Sequence, residues 1–114
     1  MGASKTHIFN TSQNTLASLA KVLGHPARIA IIQYISKNKD AMCNDLVDVI
    51  GLSQPTITQH MNTIKKAGLL KVSFKGKYPC YRMHQEKWQE LQLPFQDFFK
   101  RINTTIHPNE PQKK

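Results

Sequence analysis

The apolar residues of this chain keep helical spacing from Leu16 to Ile64, alternate strictly once, over Leu70, Val72 and Phe74, and then return to helical spacing from Trp88 to Ile102. A single short alternating stretch inside a helical pattern leaves room for one hairpin and no large sheet. The first helical stripe is Leu16, Leu19, Ala20 and Leu23, with Thr11 or Ser12 available as its cap and Gly24 as its stop. Pro26 suits the first turn of a second helix carrying Ile29, Ala30, Ile31, Ile32, Tyr34 and Ile35. That helix is apolar nearly all round, which predicts the central buried one. A short third helix, capped by Asn44 or Asp45, carries Leu46, Val49 and Ile50 and stops at Gly51. Ser53 then caps a fourth, with Pro55 just inside it, Ile57, Met61 and Ile64 on one face, and Gly68 at its end.

The alternation that follows sets Leu70, Val72 and Phe74 against Lys71, Ser73 and Lys75, which reads as a half-buried strand. Lys75-Gly76-Lys77 turns the chain, and Tyr78, Cys80, Tyr81 and Met83 form the return strand, with Pro79 at an edge or bulge. The last stripe, Trp88 to Ile102, contains Pro94, which predicts a kink or a split. The expected fold class is therefore mostly α with a small β-hairpin, in the order α-α-α-α-β-β-α. A short helix, a tight turn and a second helix followed by a hairpin make a winged helix-turn-helix. The expected organisation is a flexible arm over 1–12, one domain over 13–102 and a disordered tail over 103–114. No long apolar run and no secretory pattern occurs in the sequence, so a cytoplasmic protein with no membrane partner is expected.

The formal net charge is +9, and its distribution says more than its size. No Asp or Glu occurs from Val49 to Gln85, a stretch that holds Lys65, Lys66, Lys71, Lys75, Lys77 and Arg82. A solvated face ordinarily mixes both signs, so an acid-free run of this length points to a polyanion. With Ile57, Met61 and Ile64 facing inward, Pro55, Gln59, Asn62 and Lys66 lie opposite on the fourth helix, flanked by Thr56, Thr58 and Thr63. Hydroxyls, amides and a cation are the groups that read base edges and hold phosphates. Gln54, Thr56, Thr58, Gln59 and Asn62 are the candidate base readers. Ser53, Thr63, Lys65, Lys66, Lys75, Lys77 and Arg82 are the candidate phosphate contacts.

Three segments resemble the ArsR/SmtB family of bacterial winged-helix repressors. They are Leu23 to Ile32, Leu52-Ser53-Gln54-Pro55-Thr56-Ile57-Thr58-Gln59-His60-Met61, and Lys66 to Leu70 with Lys75-Gly76-Lys77 and Tyr81-Arg82-Met83. The resemblance implies a homodimer joined by its first and last helices, an operator palindrome as partner and an inducer that weakens binding. The residues it would place at the dimer interface are Leu16, Leu19, Trp88, Leu91, Phe95, Phe98, Phe99 and Ile102. A two-fold dimer would set its recognition helices about 34–36 Å apart. The family's cysteine-x-cysteine metal box falls on Met42-Cys43-Asn44, where one thiol stands between two non-ligands. The last helix has no histidine, only Glu86, Glu90 and Asp97. Neither of the family's usual metal sites is expected.

Cys43 and Cys80 lack the doublet spacing of structural zinc and read as reduced thiols, with a redox pair left open. His60 lies at the shoulder of the recognition helix, and His84 reads as a surface residue. No nucleophile–base pair, paired carboxylates, phosphate loop or cofactor motif occurs, so no enzyme and no cofactor are expected. The function expected is a DNA-binding transcriptional regulator, with a thiol- or metal-responsive repressor or a basic protein-interaction module as alternatives. An unknown small-molecule or redox effector remains open.

Overall fold

The computed structural model describes residues 6–106. A short 3-10 turn over Thr6–Ile8 precedes α1 (Thr11–Leu23), α2 (Pro26–Lys37), α3 (Cys43–Ile50), α4 (Gln54–Lys66), β1 (Leu70–Lys75), β2 (Tyr78–Met83) and α5 (Gln85–Thr105). Helix therefore begins at Thr11, within the segment expected to be a free arm, and α5 continues to Thr105, into the expected tail. The cap of α1 is Asn10, not Thr11 or Ser12. Its side chain accepts from the Gln13 backbone N–H at 2.7 Å, and the Gln13 side chain accepts from the Asn10 N–H at 3.0 Å.

The core is a cluster of Leu19, Ile31, Ile32, Ile35, Leu46, Ile57, Met61, Ile64, Leu69, Leu70, Tyr81 and Leu91. α2 supplies three of these from one side, while Ile29 is exposed, so it is not buried all round. On α3, Val49 faces out, and Cys43, Leu46, Val47 and Ile50 pack inward. The caps expected from sequence, Asn44 and Asp45, lie inside the helix, whose cap position is held by Met42. The Met42 N–H donates to the Asp45 carboxylate at 2.9 Å, which anchors that start.

The hairpin is antiparallel, with Leu70 opposite Met83 and Lys75 opposite Tyr78. Leu70 is buried and Val72 half-buried, but Phe74 is 66% exposed, because the hairpin outruns the core before the alternation ends. The β2 edge is met by Ala41, which exchanges two backbone hydrogen bonds with Tyr81 at 2.8 and 3.0 Å. Strand N–H groups alternate in direction, so the Pro79 nitrogen points to the same side as that of Tyr81, away from β1. Its missing N–H costs the β1–β2 ladder nothing.

α5 runs through Pro94 without a break. A proline removes one helical hydrogen bond and crowds the preceding turn. Leu91 and Phe95, packed on the core at either side, offset that cost. The start of α5 is tied to the end of α4 through one acceptor. The Leu69 carbonyl receives the His84 N–H at 3.1 Å and the Trp88 indole N–H at 2.9 Å.

Two substitutions should separate packing from tethering. Ile57→Ala is expected to cost about 2–5 kcal/mol, since its site is fully enclosed. Trp88→Phe should cost about 1 kcal/mol from the lost hydrogen bond, because the Leu69 carbonyl keeps its second donor. Urea unfolding midpoints of the two variants check the order.

Candidate nucleic-acid interface

α4 is positioned by its apolar face. Ile57, Met61 and Ile64 are enclosed, and His60, placed at the shoulder from sequence, is buried with them. Gly51 ends α3 in the left-handed conformation, with φ at 85°, which folds the chain sharply into α4. Ser53 holds the cap position of α4, but its hydroxyl donates to the Thr56 hydroxyl at 3.0 Å instead of bonding the backbone.

Burial of that face leaves Gln54, Pro55, Gln59, Asn62, Lys65 and Lys66 exposed. Thr56, Thr58 and Thr63 are half-buried along the two flanks. Gln54 and Thr58 line a cavity with Cys43, Asn44, Tyr78 and Tyr81, between the start of α3 and the hairpin. Gln59, Asn62, Thr63 and Lys66 line another on the opposite flank. Thr58 Oγ1 lies 3.5 Å from Cys43 Sγ, and the Thr63 hydroxyl donates to the Gln59 carbonyl at 3.1 Å. Both hydroxyls are thus engaged within the protein, whereas the side-chain amides of Gln54, Gln59 and Asn62 have no hydrogen-bond partner among the described residues.

The hairpin tip carries Lys75 and Lys77, both exposed, around Gly76 at φ 64°. Lys77 Nζ sits 5.8 Å from the centre of the Tyr78 ring, a cation–π distance. Arg82 differs from these lysines. Its Nη2 donates to the Asp40 carboxylate at 2.7 Å, so much of its charge is already neutralised, and it holds the base of the hairpin rather than standing free for a phosphate. That hydrogen bond keeps the Asp40 carboxyl below its ordinary 3.8. Burial, with Cys43 beside it, pushes the Tyr81 phenol up.

The histidines take roles that spacing did not reveal. His25 Nδ1 accepts from the Ala27 N–H and caps α2, and His84 Nδ1 accepts from the Lys87 N–H and caps α5. His60 Nδ1 accepts from Arg28 Nε at 3.2 Å, while its ring meets His25 edge-on, 4.4 Å between centroids. Burial chiefly, and then the His25 and Arg28 charges on α2, hold the His60 imidazole below its ordinary 6.5.

The residues named for a dimer interface divide. Leu19 and Leu91 are buried in the chain's own core, and Trp88 and Phe95 pack against it. Phe98, Phe99 and Ile102 remain exposed at 44%, 61% and 45%, and the half-buried Leu16 lines an apolar groove between α1 and α5 with Phe98 and Phe99. Cys80 is buried and Cys43 half-buried, both as free thiols. Among the described residues no three His, Cys, Asp or Glu side chains gather as metal ligands, and no helix is long and apolar enough to cross a membrane.

A family model described as a helix-turn-helix domain matches residues 23–73, from the end of α1 into β1. The chain is 29% identical over 75 residues to an HTH-type transcriptional regulator of Methanocaldococcus jannaschii, covering 66% of this chain and 84% of that protein. It is 31% identical over 65 residues to the HTH-type transcriptional repressor SmtB of Mycobacterium tuberculosis, covering 57% of this chain and 47% of that one. Among solved structures, a homodimeric winged helix-turn-helix DNA-binding domain from Mycobacterium bovis, a possible ArsR-family regulator, superposes with a TM-score of 0.62. It has 16% identity and covers 99% of each chain.

The His60 environment has a measurable consequence. A histidine whose folded value lies below its unfolded one contributes stability that is complete above the unfolded value and is lost as pH falls. The urea midpoint should therefore be lower at about pH 5.5 than at about pH 7.5. The His60 imidazole, followed by NMR, should titrate below 6.5; a midpoint above that value would contradict the assignment.

Proposed function

We propose that this chain, a winged-helix transcriptional regulator of the ArsR/SmtB type, represses transcription as a homodimer bound to an operator palindrome. The observation that carries the DNA reading is the outward face of α4. It is acid-free, rich in amides, and continuous with a lysine-tipped hairpin. Gln54, Gln59 and Asn62, exposed amides with both donors and acceptors, read base edges in the major groove. Thr56 and Thr58 support them from the flanks. Ser53, Thr63, Lys65 and Lys66 hold phosphates beside the helix, and Lys75 and Lys77 hold them from the wing. Arg82 serves chiefly to brace the wing against Asp40.

The dimer reading rests on the uncovered second half of α5. Leu16, Phe98 and Phe99 present apolar surface along one groove, Ile102 is exposed further along α5, and a second copy of the same helices is the partner that buries this surface symmetrically. Residues 13–102 form the unit that binds DNA and dimerises, in the cytoplasm. The operator is then met by two recognition helices in successive major grooves.

Selection of duplexes on the purified protein, followed by fluorescence anisotropy, tests this. If six or more phosphates are neutralised per dimer, affinity should drop by about a thousandfold or more between 50 and 200 mM salt. Asn62→Ala and Gln59→Ala should each flatten the preference between selected and scrambled duplexes by about 1–3 kcal/mol while leaving the salt slope in place. A response to salt without any sequence preference would leave only a nonspecific basic protein.

A further inference from the structure

One cation on the recognition side of the molecule is not among the phosphate contacts named so far. Arg28 projects from α2 into the cavity on the flank of α4, about 400 Å³ in volume, whose other walls are Gln59, His60, Asn62, Thr63 and Lys66. Two cations line it and no carboxylate does. An anion is the ligand such a lining selects.

The guanidinium is held in a particular way. Arg28 Nε donates to His60 Nδ1 at 3.2 Å and Nη1 donates to the Val22 carbonyl at 3.3 Å. Both acceptors are uncharged. A neutral imidazole and a carbonyl fix the plane of the fork without cancelling its charge, as a carboxylate would. His60 Nδ1 is the acceptor in this bond, and burial favours the neutral ring that leaves its lone pair available. Among the described residues Arg28 has no carboxylate partner, and its Nη2 makes no hydrogen bond. Nearby side chains add an amide from Asn62, an amide from Gln59 and the Lys66 ammonium. A half-buried, pre-aimed and unneutralised guanidinium loses little freedom on binding, which is what makes a fixed anion contact effective.

We propose that Arg28, aimed by His60 and the Val22 carbonyl, completes with Lys66 a site for one backbone phosphate of the bound duplex on each protomer. This rests on the DNA-binding reading above. α4 enters the groove with Asn62 and Lys66 outward, so the cavity behind Gln59 and Thr63 lies where a flanking strand passes. His60 is a positioning residue here, acting through Arg28.

The test combines a variant with a modified ligand. A duplex selected on the wild-type protein is made with single phosphates replaced by uncharged methylphosphonates. At one position on each strand the replacement should weaken the wild-type protein clearly more than Arg28→Gln, which retains only the Lys66 contact to that phosphate. The Arg28→Gln salt slope should be shallower by about two per dimer, with the ranking of duplex sequences unchanged. His60→Ala, which frees the guanidinium but keeps its charge, should lose affinity while keeping most of the slope, a split that a purely structural role would not produce. Equal weakening of both proteins at every modified position would overturn the proposal, as would a changed sequence ranking for Arg28→Gln. Should Arg28→Gln unfold, Arg28→Lys tests the same position, with the methylphosphonate effect expected to persist in reduced form. Inorganic phosphate titrated without DNA distinguishes a free-anion site, since saturable binding seen at Arg28 Nε–H by NMR at constant ionic strength would overturn the duplex as the source. Failure of the wild-type protein to select any duplex would instead overturn the DNA-binding reading as a whole.

Discussion

The burial of one face of α4 orients everything that the molecule can present to a partner. Ile57, Met61 and Ile64 have essentially no exposed surface, and His60 is enclosed beside them. Successive residues of a helix are rotated by about 100°. A shift of α4 by one residue would therefore drive Gln59 or Asn62 toward the core and bring an isoleucine to the surface, and the enclosed side chains oppose it. α2 and α3 close on that face from two sides, and the chain leaves α4 through Gly68, at φ 84°, directly into the buried Leu69 and Leu70. The hairpin thus inherits its direction from the same packing that sets the exposed face of α4.

Polar groups settle the joints that apolar packing leaves loose. The Leu69 carbonyl collects two donors from the start of α5, which locks the exit of the hairpin to the exit of α4. Asp40, itself in the left-handed region at φ 60°, receives Arg82, while its neighbour Ala41 pairs with Tyr81. The loop between α2 and α3 therefore grips the base of the wing by an ion pair and a backbone bridge at once. The ion pair is half-exposed and contributes little stability by itself. Its effect is on where the wing points.

Much of this was legible in the sequence because it is local. Glycines at 51, 68 and 76 mark left-handed turns, Pro26 and Pro55 mark first turns, and the change of apolar period marks the hairpin. The exposed polar face of α4 followed from helical spacing alone. Misplaced details share a cause: they depend on partners far along the chain or on where an element stops meeting the core. Val49 was assigned inward because spacing from Leu46 and Ile50 does not say which flank of α3 meets the core, and the flank that does carries Cys43 and Val47; Phe74 was assigned inward because alternation does not reveal how far a hairpin projects. Arg82 looked free because Asp40 lies 42 residues away, and Arg28 looked incidental because His60 lies 32 residues away. The histidine caps were missed because Ser, Thr, Asp and Asn are the usual capping residues, and His25 and His84 do the same work through a ring nitrogen.

The wing behaves mechanically as a lever. Its last backbone hydrogen bonds to the body are at Tyr81, opposite Val72, and from there β1 continues to Gly76 over about 13 Å, backed on the β2 side by Cys80, Pro79 and Tyr78 near the start of α3. A tilt of a few degrees at that fulcrum moves the Lys75 and Lys77 ammonium groups by about an ångström, enough to make or break a short charged contact. The loop holding Asp40 and Ala41 is the short arm of the same lever. Whatever strains that loop is therefore magnified at the tip, far from the place where the strain is applied.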